Sequence, residues 1–189
     1  MNYNYVTDAK DTHLGGNIAQ GDPLTFSPKV WDYLIDRFAL RSVMDLGSGR
    51  GHAAWYFHKR GVPVIAVDGL GHNIYNAVYP TILHDLHKGP VLTKVDLVYC
   101  VETVEHIAEE HLGNLLQSLL CGQFIVMTHA LPRQAGHHHV NLQEDQYWID
   151  HLTRVGAQYL DIDTVRIRGI AHNEGAVHMA RSGLVFSKG

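Results

Sequence analysis

Short runs of apolar residues alternate along this chain with stretches in which apolar residues recur every three or four positions. The first such stretch follows Ser27 and Pro28, a pair typical of a helix start, and its apolar residues are Val30, Trp31, Leu34, Ile35 and Phe38. Further helices are predicted over residues 51–60, 109–120 and 144–155. Strands are predicted at residues 42–46, 62–67, 81–83, 95–100, 123–128, near 159–162 and at 182–187.

This alternation predicts the fold class. Nearly continuous apolar strands separated by helices are typical of a parallel sheet that is covered on both faces. We therefore predict an α/β protein with a Rossmann-like, doubly wound, mostly parallel sheet of about seven strands. The last strand is expected to be antiparallel, and the stretch between residues 162 and 182 is expected to be less regular.

The first 27 residues differ from the rest of the chain. They are polar and rich in turn formers, with Gly15-Gly16 and Gly21-Asp22-Pro23. We predict an N-terminal arm over residues 1–27, in a position to act as a lid, and a single domain over residues 28–189.

Composition and charge narrow the classes of partner. With 46% hydrophobic and 18% charged residues, the 189-residue chain has the composition of one globular domain. Its formal net charge of −4 gives no overall positive field to attract nucleic acid or an anionic membrane, so neither is an expected partner. Two cysteines, the lack of a secretion signal and the lack of a long apolar run favour a cytoplasmic protein, which we expect to be a monomer or a homodimer.

The segment VMDLGSGRGH, residues 43–52, sets three glycines at alternating positions between a predicted strand and a predicted helix. Glycines there allow positive φ angles and a close ligand approach, and the helix N-terminus offers free N–H groups, so a nucleotide-type ligand is expected. Dinucleotide-binding loops prefer a small residue where this chain has His52, which disfavours an NAD site. The predicted ligand-binding residues of this segment are Asp45, Gly47, Ser48, Gly49 and Gly51.

Acidic residues follow the next two strands. Asp68 lies seventeen positions after Gly51, close to the spacing of an acid that accepts from ribose hydroxyls. The pair Asp68-Gly69 is also common in ordinary turns, so this assignment depends on the glycine loop. After the third strand, Asp85 is suited to accept from an adenine amino group while Leu86 covers the ring; the same pair could simply begin a loop.

Three polar residues follow the fourth predicted strand. Glu102, Glu105 and His106 lie there, at the carboxyl edge where ligands bind in open α/β sheets. Their position in the topology makes them candidates for a site.

From Gly15-Gly16 to the final strand, the chain resembles a group of small bacterial and phage class I S-adenosylmethionine (SAM) dependent methyltransferases, of the methyltransferase type 11/23 kind. The G-x-G-x-G loop preceded by Asp45 is similar to their first motif. Arg133 stands where the group has a glycine, so the turn there is expected to differ. Further matching segments are Asp85-Leu86, Asp96-Leu97-Val98, Glu102-x-x-Glu105-His106, Met127 to Asn141 and Tyr147-Trp148-Ile149.

The resemblance implies a SAM-dependent methyltransferase, EC 2.1.1.-. It implies that the loop glycines bind the methyl donor, that Asp68 binds its ribose and Asp85 its adenine, and that Glu102 faces its methionine. It does not identify the acceptor.

Histidine is suited to remove a proton from an acceptor hydroxyl at neutral pH. His106, shortly after the fourth strand, is the favoured base, and His139 and His129 compete with it. An extended segment after residue 136 would direct alternate side chains inward. The candidate acceptor-binding residues are His137, His138 and Asn141, which could instead fix a loop.

A metal site is the alternative reading of these histidines. Neutral imidazoles and a carboxylate such as Glu105 can hold zinc or another divalent ion. Three adjacent histidines are a poor ligand spacing, however, and they lack the i, i+4 pairing of many zinc enzymes. We therefore predict no bound metal.

Three functions remain open at this level. The first is methyl transfer to a hydroxyl or amine of a small molecule or glycan. The second is a nucleic-acid or protein methyltransferase, which the acidic charge disfavours, as does the sequence Cys100-Val-Glu-Thr where base-amine methyltransferases have Asn/Asp-Pro-Pro-Tyr/Phe. The third is a noncatalytic SAM-binding protein or a SAM-dependent enzyme of another reaction class.

Overall fold

The computed structural model describes residues 5–189, which are built around two sheets. The strands are β1 Tyr5–Thr7, β2 Gly15–Ile18, β3 Val43–Leu46, β4 Val64–Asp68, β5 Thr81–Leu83, β6 Val95–Cys100, β7 Gly122–Met127, β8 Ala157–Tyr159 and β9 Leu184–Lys188. The α-helices are α1 Pro28–Phe38, α2 His52–Lys59, α3 Gly71–Asn76, α4 Leu112–Leu119, α5 Asp145–Arg154, α6 Asp161–Glu174 and α7 Val177–Ser182. Short 3-10 helices span Pro23–Thr25, Leu86–Lys88, Val104–His106 and Glu109–His111.

The larger sheet has seven strands in the order β5-β4-β3-β6-β7-β9-β8. Strands β3 to β7 pair in parallel, and β9 is antiparallel to both of its neighbours, β7 and β8. The predicted mostly parallel sheet with an antiparallel last strand is therefore confirmed. The strand order reverses between β3 and β6, and ligands in open α/β sheets bind at the carboxyl ends of strands beside such a reversal.

Two hydrophobic layers cover the faces of this sheet. One layer contains α4 and α5 and is centred on Leu115, Leu119, Trp148 and Leu152. The other contains α1, α2, α6 and α7 and is centred on Trp31, Leu34, Phe57, Ile167 and Met179. Burial on both faces explains why the central strands are apolar at nearly every position.

The expected less regular stretch after residue 162 is wrong, because α6 and α7 occupy it. The predicted strand near 159–162 ends at Tyr159, since α6 begins at Asp161. Helical periodicity is masked in α6: Asp163 and Thr164 are buried, whereas Ile162 and Val165 are 76% and 71% exposed. Polar residues inside and apolar residues outside remove the usual signal.

The described part of the arm is more ordered than its turn-rich sequence indicates. Strands β1 and β2 pair antiparallel, and the 3-10 helix over residues 23–25 precedes α1. Both cysteines, Cys100 and Cys121, are free. Within residues 5–189, no helix has the length and apolarity needed to cross a bilayer.

Candidate active site

A cavity of about 1120 Å³ opens at the carboxyl edge of the sheet. Its walls come from the glycine loop, the ends of β4 and β6, residues 134–137 and 139, His178 of α7 and the N-terminal arm. Sites for small ligands usually have volumes of about 300–1,000 Å³, so this cavity is large enough for two small molecules side by side.

The glycine loop has the backbone that its sequence predicts. Gly47, Gly49 and Gly51 have φ angles of 76°, 54° and 74°, in the left-handed region that favours glycine. A Cβ at Gly47 would collide with the side chain of Thr103, whereas a Cβ at Gly49 would meet no heavy atom within 4 Å. Gly47 and Gly49 line the cavity, and Gly51 lies outside it as the N-cap of α2.

Asp68 ties the end of β4 to the glycine loop. One carboxylate oxygen accepts from the Gly49 N–H at 2.8 Å, and the other accepts from the Leu70 N–H at 2.8 Å and the Asn73 amide at 3.0 Å. Burial raises the pKa of Asp68, although these hydrogen bonds oppose the rise. A carboxylate has about four acceptor sites, so one site remains for a ligand donor.

The other two residues of the first motif differ in their surroundings. Asp45 accepts from the Ala54 N–H at 3.1 Å, which fixes the first turn of α2, and burial raises its pKa to about 7. The Ser48 hydroxyl is buried at the cavity wall and has no hydrogen-bond partner among residues 5–189. A buried hydroxyl of this kind is a natural contact for a polar ligand group.

Asp85 is the N-cap of the 3-10 helix that follows β5. Its carboxylate accepts from the His87 N–H at 2.9 Å and contacts His13 at 3.1 Å and Lys88 at 3.4 Å. Burial disfavours the charged carboxylate, but the His87 N–H and His13 outweigh it and lower the pKa of Asp85. Leu86 and Gly69 also line the cavity beside it.

Beyond β6, a chain of four side chains connects the sheet to the arm. Glu102 has φ 50°, and its carboxylate accepts from the Thr128 hydroxyl at 2.8 Å and from His178 Nδ1 at 2.9 Å. His178 Nε2 reaches the Asp22 carboxylate of the arm at 3.2 Å. Burial opposes protonation of His178, but the two carboxylates raise its pKa to about 10, so its imidazole is charged at neutral pH.

The sequence pattern did not indicate His178. It lies on the short helix α7, within the stretch expected to be irregular, and no local motif surrounds it. Only the packing of α7 beside the end of β6 brings it to Glu102.

Glu105, His106 and His139 form a second polar group on the same wall. Glu105 is fully buried, and in the described part of the chain the only side chain that can share a hydrogen bond with its carboxyl group is the acidic Glu102. Burial, together with the nearby charge of Glu102, raises the pKa of Glu105 well above its usual range. The rings of His106 and His139 lie 5.1 Å apart, and burial and the neighbouring His139 lower the pKa of His106 to about 4.

Most of the predicted site residues lie at the cavity, and the exceptions come mainly from the later part of the chain. His137 lines the cavity and contacts the Thr12 carbonyl of the arm at 2.9 Å. His129 is buried elsewhere against Asp145, at 2.9 Å. Asn141 is buried with its amide toward the Ile107 carbonyl, and His138 also lies outside the cavity lining.

The N-terminal arm forms one wall of the cavity and is held there by polar contacts. The Arg50 guanidinium donates to the Ala19 carbonyl, and His52 contacts the Gln20 carbonyl at 3.1 Å. Asn17 and Asn73 are joined at 3.0 Å. These contacts add to those of Asp22, His13 and Thr12 described above.

Solved structures resemble this fold, although no protein-family model and no curated protein sequence matches the chain. A TehB-like SAM-dependent methyltransferase from Corynebacterium glutamicum is 20% identical over 85% of this chain and 88% of its own, with a TM-score of 0.60. The magnesium protoporphyrin IX methyltransferase of Synechocystis, solved with bound SAM, is 14% identical over 86% and 79%, with a TM-score of 0.58. The [4+2]-cyclase SpnF is 13% identical over 85% and 80%, with a TM-score of 0.58. The chain therefore has the class I SAM-dependent methyltransferase fold, as its resemblance at the sequence level implies.

Proposed function

We propose that this protein is a SAM-dependent methyltransferase that acts on a hydroxyl or amine of a small molecule or glycan. One observation carries the proposal: the Gly49 N–H donates to Asp68, so the glycine loop and the ribose-binding candidate form one unit at the switch point of the sheet. That unit faces a cavity that also reaches His106 and His139.

The residues on the cavity wall fit SAM. Gly49 leaves open space above its Cα, the Ser48 hydroxyl is buried without a partner in the described chain, and Asp68 retains one acceptor site. Asp68 would hold the ribose, and Asp85 with Leu86 would hold the adenine. The loop residues Gly47, Ser48 and Gly49 would lie against the methionine part, with Glu102 beyond them.

The enclosure of the cavity supports a small acceptor. Residues of the arm form one wall of the cavity, and their contacts to Asn73, Asp85 and His178 hold them in that position. An acceptor must fit beneath the arm or enter when the arm opens, which favours a small molecule or a terminal sugar over a folded macromolecule.

When bound, SAM supplies an electrophilic methyl group on a sulfonium centre. The chain's own contribution is then to align the acceptor and exclude water. His106 and His139 lie at the wall where an acceptor oxygen or nitrogen would approach, and they are the residues that we expect to act on its proton. Their assignment as bases remains a prediction.

The alternative functions differ from this one in the surface charge that the protein needs or in the product that it forms. A nucleic-acid methyltransferase needs a basic face, and the chain carries a net charge of −4. A noncatalytic SAM-binding protein, or an enzyme of another reaction class, would use the same loop, and the [4+2]-cyclase of similar fold illustrates why the fold alone does not select the reaction.

Calorimetric titration of the purified protein with SAM, S-adenosylhomocysteine and NAD tests the proposal first. We expect micromolar binding of both sulfur ligands, equivalent to about −8 kcal/mol, and none of NAD. Binding of NAD alone would overturn the cofactor assignment. Product analysis with methyl-labelled SAM and a panel of hydroxyl and amine acceptors then tests transfer itself, and a salt-sensitive shift with RNA or DNA would favour a nucleic-acid substrate instead.

A further inference from the structure

The buried carboxyl group of Glu105 has no role in the proposed SAM site. This group is fully buried, no residue within 5–189 other than the acidic Glu102 offers either oxygen a hydrogen bond from its side chain, and the charge of Glu102 repels a charged Glu105. Burying an unpaired polar group costs free energy, and buried carboxylates in proteins are usually paired or bound to a metal. Two carboxyl groups that face each other at a cavity wall, with no basic side chain and no N–H group of another described residue bonded to Glu105, therefore indicate a missing positive partner.

Two imidazoles face the same place. One donor atom from each of Glu105, His106 and His139 lies within 4.8 Å of the other two. Ligand atoms bound to one divalent ion at about 2.0–2.2 Å lie roughly 3–3.5 Å apart, so small side-chain rotations would bring the three to binding distance. His106 Nδ1 is buried and has no hydrogen-bond partner in the described structure.

The hydrogen bonds around His139 prepare it as a ligand. Its Nδ1 lies 3.1 Å from the Gln134 carbonyl, which can only accept, so this nitrogen carries the proton and leaves Nε2 free to bind a metal. The Val140 and Asn141 N–H groups both donate to the Glu105 carbonyl, at 3.0 and 3.1 Å. The loop that carries His139 is thus tied to the backbone of Glu105.

We propose that Glu105, His106 and His139 bind a divalent first-row transition-metal ion at the wall of the cavity. One carboxylate and two imidazoles suit zinc, manganese, iron or cobalt better than calcium or magnesium, which prefer all-oxygen sets. The spacing objection to adjacent histidines does not apply, because His139 joins two residues that precede it by more than thirty positions.

A second group, His13, Asp85 and His87, also brings three donor atoms together but is less suited to a cation. Asp85 already accepts from the His87 N–H and contacts His13, and the Lys88 ammonium lies 3.4 Å from it. A lysine charge at this distance opposes a second cation. The two groups therefore provide a direct comparison.

All three ligands line the cavity, so the coordination positions that they leave open face it. This further step rests on the proposed function: an acceptor hydroxyl or amine beside SAM would occupy one of those positions. His106 and His139 would then act on the acceptor through the metal ion and not as free bases.

The test is to titrate the chelator-treated protein with two ions. Binding of Co²⁺ is monitored by the visible absorption of the bound ion, and binding of Zn²⁺ by calorimetry. We expect one ion per chain at micromolar or lower Kd. Glu105→Gln and His139→Ala should each weaken binding at least tenfold. His138→Ala, a neighbouring histidine outside the group, and His87→Ala, from the second group, should leave the Kd within twofold.

Thermal unfolding of each variant verifies that it folds, and Glu105→Gln is close enough in shape to fold if His139→Ala does not. Absence of binding, or loss of binding in His87→Ala with retention in Glu105→Gln, would overturn the proposal. Titrating the same preparations with SAM separates the two ideas: SAM binding without metal binding refutes only the metal site, and metal binding without SAM binding refutes only the proposed function.

Discussion

The two sides of the cavity are built in different ways. The loop side, residues 45–54 and 68–73, is held by bonds between residues close along the chain, such as Asp68 to Gly49, nineteen positions apart. The histidine side, consisting of Glu102, Glu105, His106, His139 and His178, is held by distant residues: His178 contacts Asp22, 156 positions away. A site that is local in sequence is recognisable as a unit before folding, whereas a contact that only the topology makes, such as that of His178 with Asp22, is not.

The first prediction concerns the backbone of the loop side. Gly47→Ala should lower the free energy of unfolding by about 3 kcal/mol, because a side chain there combines an unfavourable positive φ with a collision against Thr103. Gly49→Ala is the matched control, since its φ is also positive but its Cβ would meet open space. It should cost only about 1 kcal/mol.

Urea unfolding measures both losses, and SAM titration adds a second contrast. Gly49→Ala places a methyl group in the cavity where the proposed ligand lies, so it should weaken SAM binding at least tenfold while the protein stays folded. Equal loss of stability in the two variants would show that collision with Thr103 is unimportant. Unchanged SAM affinity in Gly49→Ala would move the ligand away from the loop.

The second prediction concerns the charge of His178 on the histidine side. Its folded pKa of about 10 exceeds the unfolded value of about 6.5, so its contribution to stability is complete below pH 6.5 and is lost as the pH rises to 10. The slope for one proton reaches about 1.4 kcal/mol per pH unit. The groups that hold the charge are the Asp22 and Glu102 carboxylates.

Urea unfolding between pH 6 and pH 10 measures this dependence. His178→Gln should differ most from the unsubstituted protein near pH 6, and the difference should shrink as the pH approaches 10. His72→Gln, at an exposed position of α3, should leave the profile unchanged. A constant difference across the range would contradict a charged His178.

The contrast between the sides also explains how far the sequence predicts this molecule. Between residues 28 and 155 the order of the strands and of α1, α2, α4 and α5 follows from apolar periodicity, and the Gly47 to Gly51 loop from its residues and context. The short helix α3 and the arm strands β1 and β2 were not predicted. The region of α6 and α7 was missed because Asp163 is buried and Ile162 is exposed, which reverses the usual pattern. His178 was missed with it.

The histidines show the same limit. His106 and His139 were predicted as site residues, and both line the cavity. His129 is buried instead, with its Nε2 2.9 Å from the Asp145 carboxylate of α5. The position of a histidine near a strand end does not distinguish His129 from His106 and His139, because loop packing decides which of them reaches the cavity.

The third prediction tests the ribose contact on the loop side. Asp68→Ala should raise the Kd for SAM at least tenfold, or about 1.4 kcal/mol, because it removes an acceptor and releases the Gly49 N–H that Asp68 fixes. Asp96→Ala is the control: this acid lies near the opposite end of β6, where it accepts from the Arg41 N–H. An unchanged Kd in folded Asp68→Ala would contradict the ribose role.

The smallest predicted effect concerns the arm that spans both sides. Polar contacts, such as Arg50 to the Ala19 carbonyl and Asp22 to His178, hold it in place, and its buried apolar residues in the described structure are Ile18 and Ala19. A segment with so little apolar burial opens locally at low cost, so a ligand beneath it should hold it closed.

Hydrogen exchange measures this closure. Amides of residues 10–27 should exchange several-fold more slowly when SAM is added, while those of β8, at the far edge of the sheet, change little. Protection confined to the glycine loop would mean that the arm is a fixed wall and not a lid. Asp22 of the arm contacts His178, which in turn contacts Glu102. Protection of the arm by SAM would therefore show that a ligand on the loop side stabilises contacts on the histidine side.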